Sequence, residues 1–170
     1  MAHGKLSYEA QLMKIFEHVK DKVENQKQYQ IIQDEGGEFN PAYSYTVGLT
    51  HIHHLPEIAL LGFEPKQSNA FLKITAKYLI NNPLDFAHEY VLLERAFNLP
   101  VYLVKIPQHN SHKHFHLGRK MAEYLQHEQE IFLLVLPDEN GLFPWSKGIN
   151  VKYRKVQSTL MPLKGPGTFH

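Results

Sequence analysis

The chain has 170 residues, with 18 Lys and Arg against 17 Asp and Glu and a formal charge of +1. That length suits one domain with a buried core, and a hydrophobic content of 43% excludes extended disorder as the main state. The charge balance lacks the basic footprint of a nucleic-acid or anionic-membrane binder, and the absence of cysteine excludes disulfides, zinc-thiolate sites and cysteine nucleophiles.

Ser7 is placed to cap a first helix, in which Leu12, Ile15, Phe16, Val19 and Val23 recur on one face. The N-terminus has no apolar core of signal-peptide length, and no run nears the roughly 18 apolar residues of a membrane span. A cytoplasmic protein is therefore expected. Tyr29–Gln33 reads as a short strand, and Gly36-Gly37 as its hairpin turn. The next strand alternates Tyr43, Tyr45, Val47 and Leu49 on a core face with Ser44, Thr46 and Gly48 on a small polar face. That second face is expected to admit a ligand or another backbone.

A histidine-loaded loop, His51 to His54, leads to Ile58–Phe63, whose unbroken apolar run predicts a strand buried on both sides. Pro65 opens a second helix with Ala70, Phe71, Ile74, Tyr78 and Leu79 as its stripe, and Asn81-Asn82-Pro83 ends it. Glu89–Arg95 and Pro100–Ile106 read as an antiparallel pair. A polar connection, Gln108–His116, precedes a third helix carrying Leu117, Met121, Tyr124 and Leu125. Ile131–Leu136 is the most apolar strand and is expected at the centre. Val151–Val156 reads as a last edge strand, and residues 158–170 as a loose tail. The fold class expected is α+β: one domain over 1–170, core about 8–157, with a mixed, largely antiparallel sheet of about six strands and about three helices on it.

Two stretches carry a resemblance. Tyr45-Thr46-Val47-Gly48-Leu49, then Pro56-Glu57 with Gly62, then Pro137-Asp138, Gly141 and Phe143-Pro144-Trp145 resemble a bacterial domain-of-unknown-function family, number 4262, over roughly residues 28 to 160. The family pattern has a Gln-Pro near its end, where this chain has Gln157-Ser158. The resemblance implies a shared fold and a shared site, and no established activity. A second likeness is to suppressor-of-fused-like domains, which also carry a Thr-x-Gly-aliphatic strand before a Glu-led apolar strand. Some of those neutralise toxins by binding them, which implies a protein partner.

Several residues are candidates for chemistry. Glu57 and Asp138 sit at ends of buried strands, where desolvation can raise a carboxyl pKa and form an acid/base pair; His54 is a third catalytic candidate. Each carboxylate is also explained as a turn former or ion-pair member, Asp138 above all. Tyr45, Thr46, Gly48, Glu57, Asp138, Phe143 and Trp145 are candidates for ligand or partner binding, with the two motif halves expected to meet. Trp145, the only tryptophan, is a pocket floor, a partner anchor or a plug for the core. Imidazoles at His51 and His53, and at His112, His114 and His116, recur at i and i+2, so an extended backbone would aim them together at a transition metal. Surface solvation explains them equally. Neither a Gly-x-Ser-x-Gly elbow nor His-Glu-x-x-His occurs. A non-catalytic module for a protein partner or small ligand is the leading expectation. The alternative is a small hydrolase or transferase using Glu57, Asp138 and histidines, with or without a metal.

Overall fold

The computed structural model describes residues 7–38 and 40–167. The expectations for the first six residues and for 168–170 lie outside them. Helix α1 spans Tyr8–Glu24, and Ser7 caps it by accepting a hydrogen bond from the Ala10 N–H. Its buried stripe is Phe16, Val19 and Val23, while Ile15, expected inward, is 46% exposed.

Strands β1 (Gln30–Asp34) and β2 (Tyr43–Val47) form an antiparallel hairpin. β2 ends two residues earlier than its alternation suggested, because the chain turns at Gly48 into a short helix, α2 (Leu49–His53). β3 (Glu57–Leu61) returns antiparallel to β2, and α3 follows over Pro65–Asn81. α3 buries Ser68, Leu72, Thr75, Ala76 and Leu79, a stripe displaced from the apolar one read in the sequence, so Ala70 and Ile74 face solvent. β4 (Tyr90–Leu93) and β5 (Val101–Lys105) pair antiparallel as expected. One turn of helix, α4 (Gln108–Ser111), interrupts the histidine-rich connection before α5 (His116–Leu125) and β6 (Ile131–Val135).

The six strands make one sheet in the order β1-β2-β3-β6-β5-β4. Only β3 and β6, the two central strands, run parallel; their unbroken burial on both sides explains the apolar runs. One face holds Tyr45, Val47, Ala59, Leu61, Leu133 and Val135 under α1 and α5. The other holds Ile58, Leu60, Leu103, Phe132 and Leu134 under α3.

Two expectations are corrected. Val151–Val156 is not an edge strand but most of helix α6 (Val151–Gln157): the Asn150 side chain accepts hydrogen bonds from the Lys152 and Tyr153 N–H groups, and Tyr153, Val156 and Gln157 turn inward at helical spacing. The β-branched residues at its two ends imitate a strand. The following segment is not loose over its described part either, since Leu160, Met161 and Leu163 join the core beside α5.

Candidate functional site

The first motif half is a buried lock. Glu57 opens β3 and is 6% exposed. Its Oε1 accepts from Thr46 Oγ1 at 2.9 Å and Leu49 N at 3.0 Å, and its Oε2 accepts from Gly48 N and Thr50 N, both at 3.2 Å. Thr46 Oγ1 also accepts from Ile58 N at 2.9 Å. One side chain therefore satisfies the N–H groups that α2 leaves unpaired at its start, and ties the turn to the sheet. The polar face of β2 is closed, because α3 covers it and Ser44 and Thr46 are buried. Tyr45 faces the opposite core, its hydroxyl accepting from Gly118 N and its ring edge-to-face with Phe115. Tyr45, Thr46, Gly48 and Glu57 are thus placed inside the fold rather than on a ligand surface.

Gly48 has φ +111°, and a Cβ there would stand 2.8 Å from Val23 Cγ2 and 3.1 Å from Tyr29 Cα. Gly48→Ala is expected to destabilise the protein by about 2–4 kcal/mol through strain and overpacking, read as a lowered urea midpoint at unchanged m. Burial pushes the Glu57 carboxyl above its ordinary 4.5, and the bonds from Thr50, Thr46, Leu49 and Gly48 only partly pull it back. The folded protein then holds this proton more tightly than the unfolded chain. The resulting stability is complete below pH 4.5 and is lost as pH rises through the raised native value. Wild-type stability should therefore fall relative to Glu57→Gln as pH rises from 4.5, measured by urea unfolding across a pH series. A constant difference would refute the raised pKa.

The second motif half lies at the other end of the strands. Glu57 pairs with Ile131 at the start of β6, whereas Asp138 follows its last residues, on the order of 20 Å away at the rise of a strand. The two carboxyls cannot work on one substrate atom, although Phe63, at the end of the first stretch, shares a cleft with Pro137 and Asp138. Asp138 Oδ1 accepts from Asn140 N and Leu142 N, both at 2.9 Å, and Gly141 completes the turn at φ +79°. Beyond this turn an open cleft of about 600 Å³ spans the carboxyl ends of β3 and β6. Phe63, Pro137, Asp138, Glu139, Asn150 and Tyr153 help line it. The Tyr153 hydroxyl donates to the Leu136 carbonyl; burial, with the Asp138 charge behind it, pushes its pKa up to about 12. Phe63, Asn150 and Tyr153 were absent from the sequence candidates. Helical spacing across 153, 156 and 157 is the signal that could have found Tyr153, had the segment been read as a helix.

Phe143 and Trp145 stack at 5.0 Å between centroids with 4° between planes. Trp145 meets Tyr102 at 5.2 Å and Tyr90 at 5.5 Å, both edge-on, and packs against the α1/α5 core. Trp145 is half-buried in this aromatic group.

The histidines do not converge. His51 and His53 lie two apart on α2, so helical rather than extended geometry points them away from each other, and His54 ends that helix with φ +57°. His114 packs edge-on to Tyr43 at 6.0 Å, at the opposite end of β2, while His112 and His116 are exposed. Burial, with the charge of His116 next, lowers the His114 pKa. Among the described residues no three His, Cys, Asp or Glu side chains are grouped to hold a metal ion.

Fold and site together define an α+β protein with one mixed sheet, a glutamate-locked turn at one end of its central strands and an acidic, aromatic cleft at the other. The chain belongs to the DUF4262 family, a domain of unknown function, whose pattern matches residues 22–150. No curated protein and no solved structure matches it. Among the described residues no helix is long and apolar enough to cross a membrane.

Proposed function

We propose that this protein is a non-catalytic binding module of the cytoplasm, which receives a basic group of a protein partner in the cleft between Phe63 and Tyr153. The observation that carries this reading is the composition of that cleft. Its charged lining groups are Asp138 and Glu139, with two aromatic rings and two asparagines beside them and no lysine or arginine. A lysine or arginine side chain gains both charge attraction and ring contact in such a place. Its position outside the carboxyl ends of parallel strands is where open sheets commonly take ligands. Glu57 is occupied by four donors, and Asp138 holds its turn through Oδ1, leaving no acid/base pair on one substrate. Toxin neutralisation is the particular case suggested by the likeness to suppressor-of-fused-like domains, and a toxin gene next door would favour it.

Amide NMR titration with tetra-arginine and tetra-glutamate peptides tests the proposal. Shifts centred on Phe63, Asn140 and Asn150 are expected with the basic peptide only, and they should shrink in Glu139→Gln, whose exposed side chain leaves the turn intact. Equal responses to both peptides, or shifts elsewhere, would sink it.

A further inference from the structure

The segment after α6 is docked on the domain in the manner of a ligand. From Met161 to Gly165 alternate residues point inward: Met161, Leu163 and Gly165 are buried, while Pro162 and Lys164 face solvent. This is the pattern of an extended peptide lying on a surface. Yet residues 160–167 form no strand, and no backbone–backbone hydrogen bond ties them to the domain among the described residues. Side chains hold them instead. Asn110 Nδ2 donates to the Leu160 carbonyl at 2.9 Å, and the Gly165 N–H donates to the Tyr90 hydroxyl at 3.1 Å.

Gly165 rests on the aromatic group of Tyr90, Tyr102, Phe143 and Trp145, so close that a Cβ would stand 2.8 Å from Trp145 Cγ. Floor and clamp residues fall within 22–150, the span of the family match, whereas the segment filling them does not. Open space of about 870 Å³ runs alongside, between the segment's own Met161, Pro162 and Lys164 and a wall of His88, Tyr90, Pro107 and His109.

We propose that the aromatic floor is a peptide-binding groove, separate from the acidic cleft, which this chain occupies with its own residues 160–166. A partner presenting the same chemistry, aliphatic-Pro-aliphatic-x-Gly in extended form, binds there by displacing the strap. Aromatic grooves suit such segments because proline pre-sets the extended backbone and lowers the ordering cost. The tether supplies an effective concentration of about millimolar, so weak intrinsic docking suffices to keep the groove closed until a partner competes.

The test uses the full chain and a fluorescein-labelled peptide spanning Thr159–Gly167. Gly165→Val should eject the strap, both by collision with Trp145 and by its φ of +88°. Leu163→Asp should eject it by charge burial. Both variants are expected to bind the peptide at least tenfold more tightly than wild type. Emission from Trp145 should shift to the red in each variant and return on peptide addition, while a peptide with aspartate in place of both aliphatic anchors should fail. Folded variants that do not bind, or equal binding by wild type and variants, would overturn the proposal. Loss of cooperative unfolding in both variants would also overturn it, because the strap would then be an integral part of the core.

Discussion

Glu57→Ala is expected to cost about 3–5 kcal/mol of stability. The substitution removes the acceptor for one hydroxyl and three backbone N–H groups in a site closed to water. Stranded buried donors cost about 1–3 kcal/mol each, less whatever water enters the space left behind. Thr46→Val tests the partition: it removes one donor to Glu57 and the acceptor of the Ile58 N–H, and should cost about 2 kcal/mol. Because the two side chains share a bond, the double variant should lose less than the sum. Urea unfolding reads all three. A loss below about 1 kcal/mol for Glu57→Ala would mean that the turn re-satisfies its donors without the carboxyl.

Trp145→Ala is the second, at about 3 kcal/mol, near the lower end for a large aromatic because the ring is half-buried. The loss comprises the parallel stack on Phe143 and the edge contacts to Tyr102 and Tyr90. Trp145→Phe retains most of the stack and should cost less than about 1.5 kcal/mol. An unchanged unfolding midpoint in Trp145→Ala would mark the ring as a partner anchor that the core does not need.

Much of the architecture was legible because burial leaves a period in the chain. The runs at 58–63 and 131–136 became the adjacent central strands, and the alternation at 43–47 became the strand beside them. The motif residues were legible too, but as unusual residues rather than as roles. Thr46, Gly48 and Glu57 looked like a site because small and acidic residues broke an apolar pattern. The same residue types are what a buried turn requires to satisfy its donors.

The polar residues at 153 and 157 and the apolar ones at 151 and 156 fit either an edge strand or a short helix. The Asn150 cap and the inward packing of Tyr153 decided for helix. Local sequence therefore determined which segments bury themselves, where the turns fall and that no cysteine chemistry occurs. Tertiary structure alone decided that Glu57 and Asp138 stand at opposite ends of the sheet, because the parallel register of β3 with β6 is a contact between segments over seventy residues apart. It also decided that the histidines diverge and that the C-terminal segment lies on aromatic rings. Spacing along a chain constrains neighbours on one element; only packing brings distant elements together.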